Sequence, residues 1–266
     1  PEMDPVQSRN LVRLFVTDID GCLSEPYQPF RLDRLSELAS MVAGVGLEDQ
    51  PPGPPALSIC SGRAYPYVEA MTQLLGLRHA VVFEAGGGLF DPVKARWYWN
   101  PAFTGELARE IDEVQSWLVS EIMPGTQMGV DHSKKTQASL AGPIVEEVRA
   151  AVPRVEEFVD RNLPHLLVAH TDISIDVVPR TLNKASGMRW LADTLGVSLH
   201  EMAFIGDTNG DIPALELVGH SFAPSNATEA VRNTANITTS GAVIDGVIEA
   251  YGWCSRQNRE IATNEE

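Results

Sequence analysis

The 266 residues carry 20 Lys+Arg against 36 Asp+Glu, a formal net charge of −16, which excludes nucleic acid and anionic membrane surfaces as main partners, since both reward clustered positive charge. At 44% hydrophobic the chain can bury one large core or two smaller ones, while Cys22, Cys60 and Cys254 are too scattered for a disulfide framework or a zinc site. The stretch "PEMDPVQSRN" lacks an apolar h-region, no run approaches the length of a membrane span, and a soluble, cytoplasmic protein is expected.

Residues 11–17 read as a short buried strand that runs straight into Asp18, Asp20 and Gly21. Residues 31–43 have helical periodicity, with Leu32, Leu35, Leu38 and Val42 on one face. A Pro/Gly-rich loop over 49–55 precedes a second strand, "ALSIC", then "SGR" (61–63), a helix over roughly 64–76 and the strand "AVVFE" (80–84). Strand and helix alternate here, which predicts parallel pairing with right-handed crossovers.

The rhythm changes between about 90 and 180. A helix is predicted over 104–122, strands near 126–131 and 135–141, a helix over 144–161, and two strands, "HLLVAH" and "DISIDVV". The last alternates polar Asp172, Ser174 and Asp176 with apolar Ile173, Ile175 and Val177, the mark of a sheet covered on one face only. From Thr181 the first rhythm returns: helix 184–195, strand "MAFIG" (202–206), helix 211–218, and the short strands "HSFAP" and "ANITT". The polar tail "RQNREIATNEE" reads as frayed. The fold class expected is α/β: a Rossmann-like parallel-sheet core formed by 1–88 and 180–266, with an α+β cap domain inserted at 89–179.

Four clusters fall at predicted C-terminal strand ends or at the helix starts that follow, where open α/β sheets bind ligands. They are Asp18 with Asp20, "SGR", Lys184, and "GDTNGD" (206–211). Singly each is ordinary: a strand-end Asp-x-Asp is commonly a turn or cap, Ser N-caps are everywhere, and Gly/Asp/Asn-rich turns are frequent. Jointly they offer carboxylates for Mg²⁺ and a hydroxyl, backbone N–H groups and an ammonium for a phosphoryl group, a set suited to phosphoryl transfer.

The order "DIDGC", "SGR", Lys184, "GDTNGD" resembles the four motifs of the haloacid dehalogenase (HAD) superfamily of phosphatases, over nearly the whole chain. An insertion between the second and third motifs resembles the C2-capped, Cof-type or sugar-phosphatase branch (subclass IIB). So do "DVVPRTLNKASGMRWLADTLGV" and "HSFAPSNATEAVRNTANITT". The resemblance implies Asp18 as the nucleophile that forms an aspartyl-phosphate, and Asp20 as acid and then base, with a pKa set by its surroundings. It implies that Ser61 binds the phosphoryl group and that Lys184 pairs with nucleophile and phosphate. Mg²⁺ would lie on Asp18, the backbone carbonyl of Asp20, and Asp207, with Asp211 as ligand or anchor. Gly21, Gly62 and Arg63 are expected near the substrate, and Lys134 and Lys135, at a cap turn, are candidates for its other end.

Three positions depart from the pattern: Cys22 stands where Thr is usual, Gly210 where Asn is usual, and Ala85 where Asn often precedes Gly. Cys22 and Cys60 read as small buried hydrophobes. "WYW" (97–99) reads as packing beside the cap linker, and His132 and His170 as surface histidines. The implied activity is a Mg²⁺-dependent phosphomonoesterase acting on a small phosphorylated metabolite, a sugar phosphate or glycerate-type phosphate. The alternatives are a phosphomannomutase-like mutase, which would want an arginine-rich cap, and a non-catalytic phosphometabolite-binding protein, which would lack a catalytic group.

Overall fold

The computed structural model describes residues 11–48 and 53–265. The N-terminal decapeptide and part of the proline loop (49–52) therefore lie outside the described residues. In chain order the elements are β1 (Leu14–Thr17), α1 (Leu32–Val42), β2 (Ala56–Ile59), α2 (Tyr65–Leu75), β3 (Val81–Phe83), β4 (Gly88–Asp91) and β5 (Arg96–Trp99). Then come α3 (Gly105–Trp117), β6 (Gly129–Val130), β7 (Ala138–Ala141), α4 (Val145–Asn162), β8 (Leu166–His170) and β9 (Ser174–Pro179). The chain closes with α5 (Lys184–Leu195), β10 (Met202–Ile205), α6 (Ile212–Leu215), β11 (His220–Ala223), α7 (Glu229–Thr234), β12 (Ile237–Thr238) and α8 (Ile244–Glu265).

The central sheet is parallel, in the order β12-β11-β10-β1-β2. Period-2 alternation sends Phe15 to one face of β1 and Leu14 and Val16 to the other. Phe15 packs with Leu35 and Leu38 of α1, Val68 of α2 and Tyr251 of α8. Leu14 and Val16 pack with Met188 and Leu191 of α5 and with Phe204. Both faces of the parallel sheet are thus covered by helices, as such sheets require. Leu32 departs from the expected stripe: it opens α1, beyond the edge of the core, and is 64% exposed.

The second unit is antiparallel, in the order β6-β7-β9-β8. One face, carrying Leu140, Ile175 and Val177, packs on Ile111 and Val114 of α3 and Val148 and Val155 of α4. The alternation expected for β9 is present, with Ile175 and Val177 buried and Ser174 and Asp176 only partly so. A third small sheet, β3-β4-β5, is an antiparallel meander that hangs from the central one through a bridge between Cys60 and Val82. Because β4 and β5 pair back onto β3, we propose that the inserted unit begins nearer Asn100 than residue 89. Trp97, Tyr98 and Trp99 lie on β5, half-exposed, with Trp97 against Tyr65 (5.0 Å) and Trp99 against Phe83 (5.4 Å).

Two expectations need correction. The helix predicted over 211–218 is a 3₁₀ turn, Asn209–Asp211, followed by the single turn α6. The tail read as frayed is helical to Glu265, because Tyr251, Cys254, Asn258 and Ile261 continue one buried stripe at three- and four-residue spacing. Asn258 is the polar member of that stripe. Its Oδ1 accepts from Val12 N (2.8 Å) and its Nδ2 donates to Val12 O (2.8 Å) and Gly53 O (3.0 Å), tying α8 to the start of β1.

Candidate active site

The parallel register aligns Thr17 with Ile205 and Ile59, so Asp18, Cys60–Ser61 and Gly206–Asp207 all leave the sheet at one edge. Asp18 N donates to Ile205 O (3.1 Å), and the chain then folds back at once, with Gly21 N on Ser24 O (2.8 Å). Gly21 has φ of +70°, and a Cβ there would fall 1.9 Å from Asp207 Oδ2. Glycine is needed on both counts, backbone conformation and close approach. The Gly21 carbonyl is held by Asn226 Nδ2 (2.9 Å), whose Oδ1 accepts from Val243 N (2.7 Å).

Lys184 is the first residue of α5, and its placement is fixed by a capping box: Asn183 Oδ1 accepts from Ser186 N, and Ser186 Oγ from Asn183 N, both at 3.0 Å. From there the buried ammonium reaches Asp18 Oδ2 at 2.7 Å and Asp211 Oδ1 at 2.5 Å. Burial opposes the charge on Lys184, but Asp18 and Asp211 outweigh it and hold its pKa well above the ordinary lysine value. Asp211 is fully engaged. Its Oδ2 accepts from Asp207 N (3.1 Å), Thr208 N (2.9 Å) and Thr208 Oγ1 (3.1 Å), which organises the 206–211 loop.

Asp18, Asp207 and Asp211 each offer an oxygen within 4.8 Å of the others. Burial raises the Asp18 pKa to about 6, with Asp211 and Asp20 adding to the rise and Lys184 opposing it. Burial and the neighbouring Asp18 and Asp211 carboxylates push Asp207 to about 8. Asp207 Oδ1 is buried with no hydrogen-bond partner among the described residues. One lysine cannot balance three crowded carboxylates, two of them buried, and an unpartnered oxygen in their midst is the donor that a hard divalent cation takes. The residues fit such an ion, with the unpartnered Asp207 oxygen beside the Asp18 carboxylate and Asp211 tied into the loop as an anchor.

Asp20 points elsewhere. Arg63 grips it with two bonds, Nε to Oδ2 and Nη2 to Oδ1, both 2.6 Å. The guanidinium lies 5.0 Å from the Tyr27 ring centre and 4.7 Å from that of Tyr67. Burial works against the Arg63 charge, but Asp20 more than offsets it and its pKa is raised. Ser61 is buried, and its Oγ accepts from Arg63 N (3.3 Å). Gly62 stands between them.

Cys22 and Cys60 are free and buried, burial holding both thiols well above their ordinary range, as expected of small hydrophobes. Gly210 leaves open room where an Asn is usual, and Asn209 Oδ1 instead accepts from Thr228 Oγ1 (2.9 Å). Lys134 is paired with Asp176 (2.5 Å) and largely buried, whereas Lys135 is exposed. With Gln115 and His132 they border a cavity of about 230 Å³ on the inserted unit, not at Asp18. His170, at the end of β8, is exposed. Asn226 and Glu84 were missed by sequence reasoning. The first lies in the quoted "PSNA" stretch after a strand end, and the second is a charge closing the apolar run "AVVF".

A model of the haloacid dehalogenase-like hydrolase family matches residues 136–250. The phosphoglycolate phosphatase of Methanosarcina acetivorans is 25% identical over 238 residues, 90% of this chain and 94% of that one. That of Natronomonas pharaonis is 28% identical, covering 94% of this chain and all of its own. Through residues 136–250 and these relatives, the chain is similar to the phosphatases of the haloacid dehalogenase superfamily. Solved structures with this fold include a Thermoplasma acidophilum protein (TM-score 0.69, 18% identity, 92% of this chain and 99% of that one). Another is the sucrose-phosphatase of Synechocystis, with TM-score 0.67, 13% identity, and 92% and 98% of the two chains covered. Both curated relatives are named for the hydrolysis of a small phosphorylated substrate, phosphoglycolate. Among the described residues no helix is long and apolar enough to cross a membrane.

Proposed function

We propose that the chain is a Mg²⁺-dependent phosphomonoesterase of small carboxylated or sugar phosphates, working through an aspartyl-phosphate on Asp18. The observation that carries this reading is the Asp18 carboxylate, held by Lys184 beside the orphaned Asp207 oxygen at the sheet's C-terminal edge. Asp18 and Asp207, with the Asp20 carbonyl, would hold Mg²⁺, which when bound would supply positive charge to offset the carboxylates and polarise the phosphoryl oxygens.

Asp18 Oδ1 is occupied by Ile19 N (2.7 Å) and Oδ2 by Lys184, so both bonds orient the nucleophile. A carboxylate oxygen of Asp18 forms the new bond to phosphorus as the bond to the leaving oxygen breaks, and Asp20 gives its proton to that oxygen. Water then attacks phosphorus, Asp20 takes the water's proton, and Asp18 leaves as the free carboxylate. Arg63 occupies both Asp20 oxygens, so the pair opens in the cycle to free the carboxyl for the leaving oxygen, with phosphoryl oxygens as the alternative partner for the guanidinium. Ser61 Oγ donates to the phosphoryl group. Of the two cap lysines only Lys134 is ion-paired among the described residues, which leaves the Lys135 ammonium for an anionic leaving group. Arg149 and Arg161 are engaged on the surface by Asp172 and Glu157, so no observation favours a mutase.

The test is phosphate release from a panel of small monoesters, phosphoglycolate and sugar phosphates included, with Mg²⁺ or with EDTA. Release that requires Mg²⁺ supports the reading, and the order of kcat/KM names the substrate. A folded protein that releases nothing from any ester with Mg²⁺ present defeats it.

Stability should report the same ion without any substrate. Asp207 ionises near 3.8 when unfolded and at about 8 when folded. Between those values the folded state holds a proton that the unfolded state has lost, so metal-free stability falls as pH rises, by up to about 1 kcal/mol per unit. Mg²⁺ binds the ionised carboxylates, so its gain in Tm should be larger at pH 8 than at pH 6. Equal gains at both would rule out Asp207 as a ligand.

A further inference from the structure

Glu84, Ala85 and Gly86 follow β3 with φ of +47°, +52° and +105°. Two successive non-glycine residues in the left-handed region persist only where the surroundings over-determine them. Here Glu84 N donates to Arg63 O (2.9 Å) and Ala85 N to Ser61 O (2.8 Å). A Cβ on Gly86 would fall 2.6 Å from Asn183 O and 3.0 Å from Gly187 N. The turn is therefore wedged between the Ser61–Arg63 turn and the start of the helix that carries Lys184.

From that position the Glu84 side chain reaches into the inserted unit. Its Oε2 accepts from Lys135 N (2.9 Å), Thr136 N (2.6 Å) and Thr136 Oγ1 (2.7 Å), all in the loop between β6 and β7. Glu84 is 1% exposed, and its Oε1 is buried without a partner among the described residues. A buried carboxylate that serves only the packing of its own unit would find its donors there, and this one takes side-chain contacts from the other unit alone. The same loop presses on the backbone beside it, where a Cβ on Gly87 would fall 2.1 Å from Thr136 Oγ1.

We propose that Glu84 is a positioning residue that registers the 131–137 loop, with His132, Lys134 and Lys135, against the turn that carries Ser61. One carboxylate thereby sets what the inserted unit presents to a leaving group. The proposal rests on the phosphatase reading for its kinetic consequence, though not for the anchoring itself.

The experiment measures amide hydrogen exchange in 131–137 and steady-state kinetics with phosphoglycolate and p-nitrophenyl phosphate. The variants are Glu84→Ala, Thr136→Val and Gly87→Ala. Glu84→Ala should speed exchange at Lys135 and Thr136 by about tenfold or more. It should raise KM for phosphoglycolate by about fivefold or more, while kcat for p-nitrophenyl phosphate stays within about twofold. Gly87→Ala keeps the carboxylate but drives a methyl into Thr136, and should reproduce the KM change. If Glu84→Ala fails to fold, Gly87→Ala and Thr136→Val carry the test. Unchanged exchange overturns the anchoring. Faster exchange with KM unaltered, or equal loss of kcat on both esters, overturns the positioning role and leaves Glu84 a structural tie. Failure of the phosphatase reading would look different: the unmodified protein would release no phosphate from either ester, while exchange still reported on the loop.

Discussion

Replacing Asp18 with asparagine should lower kcat for every phosphate ester by at least about 10³-fold and leave the metal-free protein no less stable. Activity falls because an amide oxygen cannot form the acyl-phosphate bond. Stability survives for a separate reason. Lys184 keeps Asp211 at 2.5 Å, and the side-chain oxygen at position 18 can still accept from Ile19 N. One of three crowded carboxylates is also removed, and with it part of the repulsion that raises Asp207 to about 8. Phosphate release and thermal melting in EDTA check both halves. A variant that turns over within about tenfold of the original would mean the nucleophile is another group.

Lys184→Met should act in the opposite sense on stability, costing about 3–5 kcal/mol near pH 7 as well as abolishing turnover. Asp211 is fully buried, and without Lys184 its Oδ1 loses the partner the structure gives it. The Asp18 and Asp207 pKa values, raised by burial to about 6 and about 8, set the pH dependence. At pH 5 protonation relieves the repulsion and the loss should shrink; toward pH 8 it should grow. Mg²⁺ should recover part of it, since the ion supplies the missing positive charge. Denaturant melts at three pH values would decide the matter, and a pH-independent loss would mean that lost packing, not charge, is the cause.

Asp18, Ser61, Lys184 and Asp207 were legible in the sequence because each follows an apolar run or opens an amphipathic one, and parallel pairing brings such ends together. Lys184 was further marked by its Asn183 cap. The partnership of Asp20 with Arg63 was not legible, since residues that far apart in the chain meet only through the placement of β1 beside β2. Glu84 was hidden because consecutive positive φ values leave no compositional trace when glycine supplies only the third. The meander β3-β4-β5 was missed because "RWYW" is exposed on an edge and does not alternate. The tail was misread for a related reason: Asn258 counts as polar in any tally of composition, yet it occupies a core position through its three hydrogen bonds.

The central sheet places β1 between β2 and β10, so Thr17 lies beside Ile205 with the whole inserted unit between them in the chain. Asp18 and Asp207 therefore meet across a long stretch of chain that includes the whole inserted unit. Chain entropy must be surrendered over that separation before any contact repays it, a topology that folds slowly. During synthesis from the N-terminus, one backbone edge of the apolar strand Leu14–Thr17 stays open until Met202–Ile205 has emerged. The arrangement that joins Asp18 to Asp207 thus also sets the interval in which the unfinished chain is most exposed to aggregation.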